Sequence, residues 1–300
     1  MVHLINRQLD IDGLVEVSRQ VPILLQAMIS ADSRAEEIGR VLTSITDTLT
    51  RRLIELAIDQ LGTAPMAFCW LAFGSQARQD QSGCSDQDNG LLLARTASND
   101  EVQYFAQLAD QVCQGLARCG YPLCSGNVMA TNPDLALSLA DWLAQFARWV
   151  RTPEPQALLN VSIYFDMRAV YGELPLYHQL QQTVVKQAQK SDLFLAAMSR
   201  NALQNTTPLG FFRRWVLERD GREVKGIDLK RKGIRLINDI VRIYALAAGV
   251  REVNTPKRIK ALMELNMITR ADALNLADAL ELLCYLRLSS QGRSISSVNY

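Results

Sequence analysis

The sequence is poor in histidine, and this scarcity excludes two common kinds of active site. Only two of its 300 residues are histidines, His3 and His178. Serine hydrolases need a histidine as base, and many zinc sites need histidine ligands. We therefore expect neither histidine-based zinc binding nor serine-hydrolase chemistry.

Cysteine is also scarce, and its spacing matches no zinc-binding pattern. The six cysteines include no pair separated by two residues. Cys113, Cys119 and Cys124 lie near one another in the sequence, but buried cysteines are common in protein cores, so we assign no metal site to them. So few cysteines, without a signal peptide, predict reduced thiols and a cytoplasmic location.

The chain has almost no net charge and no long apolar run. Its formal net charge is +1, with 48% hydrophobic and 21% charged residues, as is typical of soluble globular proteins. No apolar run is long enough to cross a bilayer. These values predict no membrane association and argue against nucleic acid as a partner.

Both ends of the chain have the apolar periodicity of helices. In residues 1–60 the pattern is typical of helices that pack on a neighbouring element or form a homodimer. From Pro175 to the end it predicts a helical bundle. The predicted helices there are Leu176–Ala188, Asp192–Leu203, Leu209–Leu217, Leu236–Ala248, Pro256–Leu265 and Ala271–Leu288.

The middle of the chain has the pattern of strands, so the predicted fold class is α+β. A small mixed sheet flanked by helices would lie between an N-terminal helical segment and a C-terminal helical bundle. Because 300 residues are too many for one small core, we expect three parts: residues 1–60, 61–174 and 175–300.

The first two strands are joined by a short polar stretch. Met66–Phe73 is an apolar run of the kind found in buried strands. Gly74 and Ser75 follow it where a helix would start, and the free N–H groups of a helix start favour an anion, with Arg78 nearby. Ser85–Leu93 predicts a second strand, antiparallel to the first.

The second strand would place two carboxylates on one face. Side chains alternate along a strand, so Asp86 and Asp88 share a face while Gln87 and Asn89 take the other. Two carboxylates beside a Gly-Ser turn suit a divalent metal and a polyphosphate.

A third strand is predicted over Leu158–Val170, which is rich in β-branched and aromatic residues. It contains Asp166, with Arg168 on the same face. An acid in an apolar strand is costly unless something compensates it. Asp166 is therefore either a third carboxylate of the metal site or the partner of Arg168 or another base. The pair of earlier acids favours the metal site.

Residues 225–235 concentrate positive charge. They include five basic side chains, one acid and two glycines. Such a segment suits a loop whose backbone and lysines, Lys230 among them, bind phosphates. A solvated linker would have the same charge pattern.

Together these motifs resemble the signature of the DNA polymerase beta-type nucleotidyltransferases. The matching residues are Gly74-Ser75 at the end of one strand, Asp86-Gln87-Asp88 on the next, and Asp166 on a later one. The segment GSQARQDQSGCSDQDNGLLL is similar to the nucleotidyltransferase domain of bacterial signalling proteins that also carry CBS or cyclic-nucleotide-binding domains. That group is related to the PII-protein uridylyltransferases and the glutamine-synthetase adenylyltransferases.

The resemblance extends over residues 35–290 and has two departures. Only helices precede the domain here, where relatives carry sensory domains. The family's Leu-Arg-x-His-Gln block reads Leu286-Arg287-Leu288-Ser289-Ser290-Gln291, without the histidine.

The resemblance implies Mg²⁺-dependent transfer of an NMP from an NTP to a hydroxyl, with release of pyrophosphate. Three carboxylates would form the catalytic two-metal site: Asp86, Asp88 and Asp166. The last of these would hold the second Mg²⁺ or act as general base. Four residues would bind the nucleotide: Gly74, Ser75, Arg78 and Lys230.

By the same resemblance, the acceptor would be a hydroxyl of a regulatory protein in bacterial signal transduction, and the transferred group UMP or AMP. One alternative is a catalytically silent nucleotide-sensing or protein-interaction module with the same fold. Another is tailing of nucleic acid, against which the low net charge counts.

Overall fold

The computed structural model of the protein describes residues 1–83, 85–204, 218–220, 223–226 and 228–298. For residues 155–157, 159–160, 218–220, 223–226 and 292–298 it describes the backbone alone. Among the helices so described, none combines the length and the apolar character needed to cross a lipid bilayer.

The N-terminal region is helical, as predicted. It consists of α1 (Val2–Asn6), α2 (Ile11–Ser18), α3 (Val21–Ser30) and α4 (Ala35–Leu61). A distant side chain caps α4: Glu281 accepts hydrogen bonds from the N–H groups of Ala35 (2.6 Å) and Glu36 (3.2 Å). A carboxylate stabilises this end because the first N–H groups of a helix lack partners within it.

Four strands form the predicted mixed sheet: β1 (Phe68–Phe73), β2 (Asn89–Leu93), β3 (Ala136–Ser138) and β4 (Met167–Gly172). Their order is β3-β2-β1-β4. Strand β1 pairs antiparallel with β2 and with β4, and β2 pairs parallel with β3. The antiparallel pairing of the first two strands is confirmed. The second strand begins at Asn89 rather than at the predicted Ser85, so Asp86 and Asp88 precede it, and the three-residue strand β3 was not predicted.

Helices cover both faces of the sheet. The helices of this part are α5 (Gly74–Arg78), α6 (Asn99–Arg118), α7 (Leu139–Arg151), α8 (Pro155–Tyr164) and α9 (Leu174–Gln189). Alternate side chains of β1 belong to two hydrophobic clusters, one shared with α4 and α6 and the other with α7 and α9. Burial on both faces explains why the sequence of β1 is apolar throughout.

The described C-terminal region is mainly helical. It contains α10 (Asp192–Gln204), β5 (Glu218–Asp220), β6 (Glu223–Gly226), a π-helical turn (Lys230–Ile234), α11 (Arg235–Ala247), α12 (Thr255–Glu264) and α13 (Arg270–Val298). Five of the six predicted helices are present, and Leu209–Leu217 lies outside the described residues. The antiparallel pair β5–β6 corrects the expectation that this region is all helix.

Helix α13 joins the two helical regions. Its Leu288 packs in one cluster with Leu25 of α3 and with Ile38 and Leu42 of α4. The predicted division of the chain at residues 60 and 174 stays a prediction, and α4 shares its core with the sheet.

The predicted strand Leu158–Val170 is wrong over its first half. Residues up to Tyr164 belong to α8, and the strand begins at Met167. A short apolar run does not distinguish a strand from a buried helix by periodicity alone. Pro155 at the first position of α8 was the available signal, because proline is favoured there.

The basic segment also differs from its prediction. From Lys230 onward it is helical and continues into α11. Asp228 Oδ1 accepts a hydrogen bond from the N–H of Arg231 at 2.9 Å, as capping acids do. Lys230 and Arg231 therefore lie on a helical turn rather than in a phosphate-binding loop.

Candidate active site

Strand β1 ends at a glycine that lies between two acidic segments. Gly74 has a φ of +55°, in the left-handed region that favours glycine. Its N–H donates to the carbonyl of Asp166 at 3.1 Å, and the N–H of Phe73 donates to the carbonyl of Asp88 at 2.9 Å. A Cβ at position 74 would lie 3.2 Å from Asp88 Oδ2, so glycine permits the close approach of the turn to this carboxylate.

Asp86 and Asp88 lie together in the segment just before β2, and a cysteine joins them. Cys124 Sγ and one carboxylate oxygen of each acid all lie within 4.8 Å of one another, and the three residues are half-buried. In the part of the chain that the structure describes, no other three His, Cys, Asp or Glu side chains converge in this way. Carboxylates and a thiol are donors for divalent cations, so this set fits a metal ion.

The residues that alternate with the two acids face the protein interior. Gln87 Nε2 donates to the carbonyls of Cys113 and Tyr121, each at 2.9 Å. Asn89 Oδ1 accepts a hydrogen bond from the N–H of Ala130 at 2.8 Å. Both side chains are buried. Asp86 and Asp88 precede β2, so these hydrogen bonds, rather than the alternation of a strand, hold the segment with its amides buried and its acids together.

Burial and a neighbouring acid make the carboxyl of Asp88 difficult to ionise. Burial, and next the charge of Asp86, raise the pKa of the Asp88 carboxyl to about 6. Cys124, Lys230 and Arg78 offset part of this effect. A cation bound to both acids would favour the charged form of the carboxyl.

We predict that this raised pKa appears in the pH dependence of cation binding. A divalent cation binds the carboxylate and competes with its proton. Affinity for Mn²⁺ should therefore fall by about tenfold or more for each pH unit below pH 6. Calorimetric titration between pH 5 and 8 measures this. A flat profile over that range would contradict the prediction, because an ordinary aspartate titrates at about pH 4.

A cleft of about 400 Å³ lies beside Asp88. Gly74 and Ser75 line it on the side of the sheet. The helical C-terminal region contributes two acidic side chains, Asp228 and Asp239, and five basic ones: Lys230, Arg231, Arg235, Arg242 and Arg287. Carboxylates opposite guanidinium and ammonium groups are complementary to a polyphosphate that carries a metal ion.

The structure places Asp166 in a separate cluster from the other two predicted acids. Its carboxylate is fully buried and accepts four hydrogen bonds from arginines. Arg78 donates to Oδ2 at 2.9 Å, Arg258 donates to Oδ1 at 2.6 Å, and Arg242 donates to both oxygens at 2.6 and 3.0 Å. Burial alone would raise the pKa of Asp166, but the three arginines outweigh it and hold the pKa well below its usual range.

These contacts bear on the role predicted for Asp166. Since guanidinium donors occupy both oxygens, the arrangement does not support Asp166 as metal ligand or base, and that role stays a prediction. The salt bridge left open as the other interpretation is present, with different partners. Arg168 does not take part, and binds Asp47 through two hydrogen bonds of 2.8 and 2.9 Å.

All four predicted nucleotide-binding residues line the cleft: Gly74, Ser75, Arg78 and Lys230. The N–H of Gly74 is used within the fold, so this residue contributes space rather than a donor. Arg78 is paired with Asp80 as well as with Asp166. Contact of these residues with a nucleotide stays a prediction.

Three residues of this region were missed by sequence reasoning: Cys124, Arg242 and Arg258. The two arginines lie on buried faces of α11 and α12, next to Val241 and Ile259. A charged residue within the apolar stripe of a helix is rarely buried without a partner, and this was the available signal. For Cys124 the spacing of the cysteines gave no signal, because its neighbours at the site lie far away in the sequence.

The structure contains the mixed sheet, the Gly-Ser turn and the paired acids that the resemblance to nucleotidyltransferases predicts. Comparison with protein families gives two matches along the chain. Residues 19–156 match the family described as "Putative nucleotidyltransferase DUF294", and residues 192–299 match the "Putative nucleotidyltransferase substrate binding domain". The chain therefore carries both domains of this family, which confirms the prediction of a nucleotidyltransferase domain. The relation to the uridylyltransferases and adenylyltransferases stays a prediction. No curated protein matches it.

Proposed function

We propose that the protein transfers an NMP from an NTP to a hydroxyl acceptor in the cleft beside Asp88. The observation that carries the proposal is the pair Asp86 and Asp88 in a chain with the nucleotidyltransferase domains. Asp88 lines the cleft together with what we call the basic wall, which consists of Lys230, Arg231, Arg235, Arg242 and Arg287. We further propose that residues 61–174 provide the acids and residues 175–300 the basic wall.

Asp86 and Asp88 would hold a divalent cation, which we propose to be Mg²⁺. Such an ion neutralises phosphate charge in phosphoryl and nucleotidyl transfer. The predicted second Mg²⁺ would need a third carboxylate, and Asp166 is bound by arginines.

The residues around the cleft would position the triphosphate. Ser75 lies on its wall next to Gly74, and Lys230 and Arg231 lie on the first turn of the opposite helical segment. Their positive charges would bind the β- and γ-phosphates and leave the α-phosphorus near the acids. The acceptor oxygen would attack that phosphorus, the bond to the bridging oxygen would break, and pyrophosphate would leave.

Asp166 would act in this site by positioning other residues. Its bonds with Arg78, Arg242 and Arg258 connect the turn after β1 with α11 and α12. Since Arg78 and Arg242 also line the cleft, we propose that Asp166 fixes the basic wall relative to the sheet.

The acceptor and the nucleotide are proposals that rest on the resemblance alone. We propose that the acceptor is a hydroxyl of a regulatory protein and that the transferred group is UMP or AMP. The reaction would take place in the cytoplasm and serve bacterial signal transduction. We propose the formation of a homodimer on the basis of the sequence alone.

The test is transfer of label from α-³²P-labelled NTPs in the presence of Mg²⁺, with pyrophosphate release measured in parallel. Asp86→Asn should lower both by about a hundredfold or more, because loss of several kcal/mol of charge stabilisation corresponds to such a factor. Asp110→Asn, an exposed substitution on α6, should leave both unchanged.

One observation favours a catalytically silent module instead. The third carboxylate of the expected site is bound by three arginines and is not with the other two acids. Calorimetric NTP binding that is equal in the parent and in Asp86→Asn, without pyrophosphate release from either, would support this second candidate.

A further inference from the structure

Cys124 is a functional-site candidate that the spacing of cysteines in the sequence did not indicate. It lies in the segment between α6 and β3, far in the sequence from the predicted acids. The fold nevertheless brings its sulfur within 4.8 Å of carboxylate oxygens of Asp86 and Asp88.

Hydrogen bonds on both sides of Cys124 fix this placement. Before it, the N–H of Gln87 donates to the carbonyl of Pro122 at 3.0 Å, and Gln87 Nε2 donates to that of Tyr121 at 2.9 Å. After it, the N–H of Asn89 donates to the carbonyl of Val128 at 3.1 Å. The residues that alternate with the two acids therefore bind the chain around Cys124. The same short segment thus presents the acids and positions the thiol beside them.

We propose that Cys124 is the third protein ligand when a softer divalent cation, such as Co²⁺ or Cd²⁺, occupies the site of Asp86 and Asp88. This inference rests on the proposed function, since the softer cation would take the place of the Mg²⁺ that accompanies the nucleotide. When the cation binds, the S–H bond breaks, its proton passes to solvent, and a sulfur–metal bond forms.

The donor set has a consequence for the choice of metal. A site of three carboxylates would suit Mg²⁺, which prefers oxygen ligands. Replacement of the third oxygen donor by a thiolate favours softer divalent cations, such as Zn²⁺, Co²⁺ and Cd²⁺. The cleft should therefore bind Cd²⁺ and Co²⁺ more tightly than Mg²⁺.

Titration of the full chain with Cd²⁺ tests the proposal through the sulfur-to-metal charge-transfer absorbance. The parent should develop this band with one equivalent of Cd²⁺. Cys124→Ser should lose it and bind Cd²⁺ about tenfold or more weakly, while its affinity for Mg²⁺ changes by less than about threefold. Asp86→Asn should also weaken Cd²⁺ binding, because its carboxylate would share the ion.

Two cysteine variants serve as matched controls. Cys284→Ser removes a half-buried thiol of α13 that lies outside this cluster, and it should keep the band. Cys84→Ser removes a cysteine that precedes Asp86 by two residues and lies outside the described residues, and it should keep the band as well. Thermal unfolding by circular dichroism verifies that each variant is folded.

A band that persists in Cys124→Ser, or that disappears in Cys84→Ser instead, would overturn the inference. So would a parent chain that binds Mg²⁺ and gives no band with Cd²⁺. If that chain still releases pyrophosphate with Mg²⁺, the proposed function stands without Cys124. A parent that binds neither cation and transfers no label would overturn both.

Discussion

Asp166→Asn should lower the free energy of unfolding by about 3–5 kcal/mol, the cost of removing one partner from a buried ion pair. The substitution keeps the size of the side chain and removes its charge. The amide nitrogen of asparagine is a donor, and it would face guanidinium donors. Urea denaturation at pH 7, followed by circular dichroism, measures the loss.

The size of this effect follows from how many charges Asp166 compensates. Arg242 and Arg258 are 2% exposed, and Arg78 is largely buried. Arg242 would keep Asp239, and Arg78 would keep Asp80. Arg258 would keep a hydrogen bond to the carbonyl of Glu252. Among the described residues, Asp166 is the only acid paired with Arg258, so the positive charge of Arg258 would be the least compensated of the three.

The stability that Asp166 contributes should also depend on pH, in a direction that its pKa shift determines. The arginines lower the pKa of Asp166 in the folded chain, so the unfolded chain takes up the proton first as pH falls. Its contribution to stability is therefore complete above the ordinary aspartate range, about pH 4, and is lost as pH falls below it. The difference between the parent and Asp166→Asn should narrow on acidification below pH 4.

The exposed Asp110 provides the comparison. Asp110→Asn removes the same charge from the surface of α6 and should change stability by less than about 0.5 kcal/mol. If Asp166→Asn lowers the free energy of unfolding no more than Asp110→Asn does, the ion pairs between Asp166 and the three arginines do not stabilise the fold.

The parts of this site that depend on local pattern could be predicted from the sequence. The unbroken apolar run of β1 required burial on both faces, and the turn at Gly74 follows from its position at the strand end. Asp86 and Asp88 come together as predicted, although they lie just before β2 and the alternation of a strand does not place them. The same local reasoning was wrong about Leu158–Val170, where the apolar pattern of α8 and the strand β4 follow one another without a polar break.

The parts that depend on distant contacts could not be predicted. The arginines that bind Asp166 from α11 and α12 are 76 and 92 residues further along the chain. A buried acid requires a partner, but this requirement does not say whether the partner is a metal or an arginine. The placement of Cys124 likewise depends on tertiary hydrogen bonds made by Gln87 and Asn89.

Asp88→Asn should have the opposite effect to Asp166→Asn on the stability of the metal-free protein. Burial and the neighbouring charge of Asp86 raise the pKa of Asp88 to about 6, so above that pH its charge destabilises the fold. A neutral amide of the same size removes this cost. We expect a gain on the order of 2 kcal/mol at pH 8 in the presence of EDTA, from a pKa difference of about two units.

The expected gain in stability of Asp88→Asn can be measured as a function of pH and of added metal. Because the folded pKa of Asp88 lies above that of the unfolded chain, the gain in stability of Asp88→Asn should be absent below about pH 4, grow between pH 4 and 6, and be constant above.

Added Mn²⁺ should raise the melting temperature of the parent and leave that of Asp88→Asn nearly unchanged, because binding stabilises only a chain that holds the ion. Asp110→Asn should respond to Mn²⁺ as the parent does. A loss of stability in Asp88→Asn at pH 8 without metal would mean that burial and the charge of Asp86 do not destabilise the charged form of Asp88. The expected gain without metal, combined with loss of the Mn²⁺ response, would indicate that the fold keeps this destabilising charge for the cation, as functional sites often do.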